Sequence, residues 1–159
     1  MYIHVNLFLQ MNLETSIKQT RFNSEYHKLM LNLIYTAGTI NGRQTRFFKI
    51  YDISPQQYNV LRILRGQFPK PASVCLLQER MLDQMSNASR LVEKLKQKKL
   101  VSRKECKADR RQVDIIITEE GLKLLEKIDL DYKDFDEKIG PLNIEEARLL
   151  NELLDKLNK

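Results

Sequence analysis

The feature that most constrains this chain is a change of hydrophobic period between residues 73 and 121, SVCLLQERMLDQMSNASRLVEKLKQKKLVSRKECKADRRQVDIIITEEG. Apolar residues recur first every three or four positions and then every second one, so the segment must pass from helix to strand. Ser73 caps a short helix over residues 73–82, with Val74, Leu77 and Met81 facing inward. Asp83-Gln84-Met85 reads as a turn. A second helix is expected from Ser86 to about Lys98, with Leu91, Val92 and Leu95 inward. Leu100 to Lys104 reads as a strand and Glu105 to Arg110 as a polar turn. Gln112 to Ile117 reads as the returning strand, with Val113, Ile115 and Ile117 on one face. Two short helices joined by a tight turn, the second of them basic, and then a hairpin are the parts of a helix-turn-helix with a wing.

The flanks are helical. Tyr26, Met30, Leu33, Ala37, Ile40 and Phe47 share one face of a helix expected over residues 23–50, which Gly38 and Gly42 weaken locally. An apolar stripe that long needs a partner, either another long helix or a second subunit. Ser54-Pro55-Gln56-Gln57 supplies a cap, a first-turn proline and a capping-box partner; Tyr58, Leu61 and Leu64 form the buried face, and Gly66 is read as the stop. Thr118-Glu119-Glu120 opens another helix, striped by Leu122, Leu125, Tyr132 and Phe135 to about Ile139. After Gly140-Pro141, Asn143 caps a last helix with Glu146 at the box position and Leu149, Leu150, Leu153 and Leu157 along its face. With only 5 Gly and 4 Pro in 159 residues, the fold class is mainly α, an α+β winged helix.

Charge locates the working face. Residues 90–111 hold ten Lys or Arg against three Asp or Glu, a net +7, whereas residues 112–159 carry a net −6. A basic stretch so confined suggests a polyanion-binding surface rather than general solubility. At the start of the second helix, Ser86, Asn87 and Ser89 are small and polar, so they allow close approach to a duplex and can donate to phosphates or base edges; Arg90 can reach guanine with two hydrogen bonds. Lys94 and Lys96, with Lys98 and Lys99, are candidates for phosphate neutralisation. In the hairpin, Arg103, Lys104, Lys107, Arg110 and Arg111 surround a polar tip, where an arginine can enter a minor groove. Asp109 is the odd acid in this stretch: it fixes Arg111 or Arg90 by a charge-assisted hydrogen bond, or it simply makes the turn.

Other classes find little support. The only histidines are His4 and His27, no cluster has metal-ligand spacing, and neither a glycine-rich phosphate loop nor a nucleophile elbow occurs, so no catalytic residue, metal or cofactor is expected. A winged helix can also serve as a protein–protein module, but its basic helix and wing would then have no use. No apolar run approaches a membrane span, and MYIHVNLFLQ lacks the basic start and cleavage site of a signal peptide. Residues 1–10 are left out of the expected fold, and residues 1–22 are expected to be a flexible leader. Cys75 and Cys106 make no disulfide framework, and reduced thiols in the cytoplasm are expected. Cys75 is expected half-buried and inert. Cys106 lies among wing cations that lower a thiol pKa, which makes it a candidate redox sensor.

SPQQYNVLRILRG, SRLVEKL with KKLVSR, the wing triplet Asp109-Arg110-Arg111, and ITEEG opening the next helix together resemble the MarR family of bacterial regulators over roughly residues 25–158. The resemblance implies a homodimer, with residues 23–53 and 119–159 forming a helical dimerisation region around a DNA-binding lobe at residues 54–118. It implies a recognition helix in the major groove and a wing in the minor groove of a pseudo-palindromic operator. The family's Asp-x-Arg wing motif falls on Asp109 and Arg111, with Arg110 the alternative groove residue. It implies a repressor released by a small aromatic or phenolic ligand near the first helix and the 54–66 helix, where Tyr35, Phe47, Tyr51 and Tyr58 lie.

Overall fold

The computed structural model describes residues 12–105, 113–137 and 140–158, with the side chains of 105 and 133–137 left out of the description. The chain divides into two compact units, Met1–Phe47 and Phe48–Lys159.

The first unit is helical. The segment expected as a leader holds a short helix, α1 (Leu13–Ile17), capped by the Asn12 side chain, which accepts the Thr15 amide. Its Glu14 carboxylate lies 2.6 Å from Lys28 Nζ, which holds that carboxyl below and that ammonium above their ordinary pKa values. The long helix α2 (Glu25–Lys49) runs close to its expected bounds and passes Gly38 and Gly42 without a break. Tyr26, Leu29, Met30, Ile34 and Tyr35 stand exposed along it. Beyond Lys49, Asp52 adopts a left-handed conformation (φ 55°). The Asp52 amide donates to the Lys49 carbonyl and the Ile53 amide to the Phe48 carbonyl, the two bonds of a Schellman termination.

The second unit holds the main core. Helix α3 (Pro55–Gln67) begins with the expected capping box, Ser54 and Gln57 each bonding the other's main chain. Such a cap contributes about 1 kcal/mol. Val60, Leu61, Ile63 and Leu64 are buried, and Tyr58 is half-buried. Gly66 is not the stop, because the helix continues to Gln67. Pro69 ends it: proline offers no amide and bars the preceding Phe68 from the helical region. Helix α4 (Val74–Arg80) is capped by Ser73 as expected. Helix α5 (Ala88–Gln97) starts two residues later than the sequence suggested, with Asn87 as its cap.

The wing pairs β1 (Val101–Glu105) with β2 (Val113–Ile117) antiparallel, Val101 opposite Ile117 and Arg103 opposite Ile115. Ala72 adds an isolated bridge to Ile115 through two main-chain bonds of 2.9 Å. Helix α6 (Glu119–Glu137) starts at Thr118, whose hydroxyl accepts from the Gly121 amide and donates to the Lys99 carbonyl. Gly121 is required there, since a Cβ would lie 2.4 Å from the Leu100 carbonyl oxygen and 2.7 Å from Ile117 Cγ1. Leu77, Ala88, Val92, Leu95, Val101, Ile115, Ile117, Leu125 and Ile128, from helices α4, α5 and α6 and from both strands, are all buried. Helix α7 (Ile144–Leu157) opens on the predicted Asn143–Glu146 box, but Leu149, Leu150, Leu153 and Leu157 are exposed.

Candidate nucleic-acid interface

Helix α5 has two chemically distinct faces. Ala88, Val92 and Leu95 are buried, which turns Ser89, Arg90, Lys94 and Lys96 outward into solvent. The Asn87 side chain accepts the Arg90 amide at 2.9 Å, so Asn87 spends its carbonyl oxygen on the cap and keeps its amide nitrogen for other partners. Ser86, expected inside the helix, lies outside it and donates its hydroxyl to Asp83 at 2.7 Å. That bond, helped by the Met85 amide and opposed by desolvation, holds the Asp83 carboxyl below its ordinary range. Small polar residues at the helix start and three outward cations give this face the chemistry of a polyanion-binding surface.

The wing is fastened to this helix by an acid that the sequence reading did not weigh. Glu93 lies 3.4 Å from the Arg103 guanidinium and 3.8 Å from Lys96 Nζ. Arg103 shares a hairpin face with buried Ile115 and extends its head to α5, so its first role is to tie wing to helix. Lys98 departs from the phosphate role in a similar way. Its ammonium is 2.5 Å from the Asp52 carboxylate and also bonds the Asp52 carbonyl, which anchors the end of α5 to the left-handed turn. Lys99 also has a left-handed backbone (φ 62°) and closes α5 in a second Schellman motif. Cys106, Asp109, Arg110 and Arg111 lie outside the described residues.

Of the four aromatic candidates, the structure brings Tyr51 and Tyr58 to the same stretch of α6. Tyr58 stacks on Phe48 at 4.4 Å and on Tyr132 at 5.6 Å. Arg62 donates to the Tyr58 hydroxyl and, with Arg65, faces Asp129. Tyr51 donates its hydroxyl to Asp131, with Lys127 5.8 Å from its ring centre. Burial first, then the Asp131 hydrogen bond and charge, push the Tyr51 phenol up to about 12. Tyr35 is exposed on α2, and Phe47 is half-buried there. Cys75 is exposed rather than half-buried, because Val74, Leu77 and Met81 set the inner face of α4 and place it outward. A Glu79 hydrogen bond and charge push its thiol pKa up. Among the described residues no group of His, Cys, Asp or Glu is placed to hold a metal ion, and no helix is long and apolar enough to cross a membrane.

A basic, solvent-facing second helix with a paired wing beside it defines the winged helix-turn-helix class of DNA-binding regulators. The sequence model of the MarR family matches residues 51–112, from the turn after α2 to the residue before β2. The HTH-type transcriptional regulator MhqR of Bacillus subtilis is 29% identical over 131 residues, covering 82% of this chain and 89% of that protein. A MarR-like transcription regulator of Bacillus cereus superposes with a TM-score of 0.76 at 24% identity, covering 84% of this chain and 96% of the other. Sco3205, a MarR family regulator of Streptomyces coelicolor solved in complex with DNA, superposes with a TM-score of 0.72 at 20% identity over 88% of this chain and 90% of its own. At those two identities the likeness speaks for the fold. Family match, relative and fold agree in likeness: the chain is similar to the MarR family of winged helix-turn-helix transcription regulators.

Proposed function

We propose that this regulator is a cytoplasmic homodimeric repressor that binds a pseudo-palindromic duplex operator and is released by a small aromatic or phenolic ligand. The observation that carries the reading is the outward face of α5, polar at its start and basic along its length, braced against the wing through Glu93 and Arg103. In this reading Asn87, Ser89 and Arg90 read bases, Ser86 supports the entry turn, and Lys94 and Lys96 meet phosphates. Arg111, held by Asp109, enters the minor groove, with Arg110 as its neighbour. The DNA complex of Sco3205 supports duplex DNA as the target. The exposed apolar residues of α2 and α7 support a second copy as partner, since both stripes are otherwise left in water. The stacked rings of Phe48, Tyr58 and Tyr132 support an aromatic ligand.

The test is duplex binding across a salt series, using DNA from the protein's own upstream region. Arg111→Ala is expected to weaken binding about tenfold or more, the scale of a lost specific Arg contact. Lys96→Ala is expected to weaken binding modestly and equally on all sequences, reducing the salt slope by about one. The footprint should show half-sites about one helical turn apart. A phenol-class compound that releases labelled duplex from the wild type should lose potency against a Tyr58→Ala protein. A monomeric protein that binds no duplex in dilute buffer overturns the proposal.

A further inference from the structure

The turn between α4 and α5 carries two large apolar side chains that the fold does not bury. Leu82 is 91% exposed and Met85 94%, the highest values among the exposed large hydrophobic residues described. The turn itself is tightly held. The Leu82 amide donates to Asn59 Oδ1 at 3.0 Å, and the Met85 amide donates to Asp83 Oδ1 at 3.1 Å. Ser86 Oγ donates to the other Asp83 oxygen at 2.7 Å. Gln78 clasps the turn from α4, donating to the Gln84 carbonyl at 2.6 Å and accepting the Ala88 amide at 3.4 Å. The polar groups of the turn are thus spent on fixing its backbone, while its apolar groups project into water. Turns ordinarily show the reverse, with small polar side chains outward.

The position of this turn suggests a use. Met85 lies two residues before the Asn87 cap, at the end of α5 that leads into a major groove in this class of protein. Exposed Arg80 and Arg90 flank the turn in sequence, while the Asp83 carboxylate within it is spent on the Met85 amide and the Ser86 hydroxyl. Neither Leu82 nor Met85 can donate to a phosphate. The one apolar group on the major-groove floor is the C5 methyl of thymine. We propose that Met85 and Leu82 read thymine methyl groups at the edge of each half-site, Met85 beside the bases met by α5 and Leu82 flanking it. The proposal rests on the DNA-binding reading above. It adds an apolar component to a specificity otherwise carried by hydrogen bonds.

The experiment begins by selecting preferred duplexes from a random library with the full-length wild-type protein. The preferred site is then resynthesised with deoxyuridine replacing thymine one position at a time, which deletes only the methyl. Wild type is expected to lose about fourfold affinity for each contacted methyl, at one or two positions per half-site. A protein carrying Leu82→Ser and Met85→Ser should bind the thymine duplex more weakly and be indifferent to the same replacements. Its thermal melting should match wild type, since both side chains are solvent-exposed, and Met85→Leu should retain the sensitivity. The proposal is overturned if wild type binds every uracil duplex as tightly as the thymine one. It is equally overturned if the double variant loses as much as wild type, or if the preferred site contains no thymine. A wild type that binds no duplex at low salt defeats the DNA-binding reading itself; one that binds leaves the uracil series to judge the methyl contact alone.

Discussion

Helices α5 and α7 are both amphipathic, both begin on an asparagine cap, and both carry apolar residues at helical spacing. Their fates differ. On α5 the stripe is sealed within the chain, with Leu95 at 0% exposure against α3, α4 and the hairpin. On α7 the stripe is left in water, with Leu149 at 57%. The exposed stripe of α2 shares that condition. The difference teaches that an amphipathic pattern specifies that a face will be covered but not by what. The winged-helix core is buried within one chain, whereas α2 and α7 leave their apolar stripes exposed.

Substitutions can break or sharpen that contrast. Leu95→Ala should cost about 3–4 kcal/mol of unfolding free energy in a denaturant titration, through lost burial and a cavity. A loss below about 1 kcal/mol would mean that the lobe is not sealed as described. Gly121→Ala should cost about 2–3 kcal/mol, because its methyl would meet the Leu100 carbonyl and Ile117 rather than open space; a neutral result would show that α6 can shift away from the wing. Leu153→Asp on α7 should change the unfolding of the lobe by less than about 1 kcal/mol while shifting sedimentation toward monomer. If its effects matched those of Leu95→Ala with no change in mass, the two helices would not differ in the way argued. Ser73→Ala should cost about 1 kcal/mol as a lost cap inside the sealed region.

The smallest effect concerns pH. Tyr51 is raised to about 12 in the folded chain, so its protonated form is favoured by folding. Its contribution is fully present below the ordinary tyrosine pKa of about 10 and is lost as pH rises through the folded value. Ultraviolet titration should show one late-ionising phenol that disappears in Tyr51→Phe; an unchanged late phase would place the shift on another tyrosine.

Much of this architecture was legible because its signals are local. The caps at Ser54, Ser73 and Asn143, the helix start at Thr118 and the change to period two before the hairpin each depend on residues within a few positions. The misplacements arose where two local signals competed or a distant contact decided. Ser86 and Asn87 are both good cap residues, and the choice fell to Asn87 because Asp83 had already engaged Ser86. Gly66 resembled a stop, but Pro69 three residues later set the boundary. Ile128, absent from the stripe read off the sequence, is fully buried on α6. For the candidate site, the outward placement of Ser89, Arg90, Lys94 and Lys96 followed from helical period alone. The Glu93–Arg103 and Lys98–Asp52 pairs did not, since each joins elements whose proximity only the tertiary fold creates.

The bridge between Ala72 and Ile115 has a mechanical consequence. It stitches the strand entering α4 to the second strand of the wing by main-chain bonds that no side-chain substitution removes directly. The segment that leads into α4 and the second strand of the hairpin are therefore held at a spacing set by the backbone. Under the proposed DNA-binding role, a duplex would adjust to that spacing by bending, because a deformable double helix yields before a hydrogen-bonded backbone does.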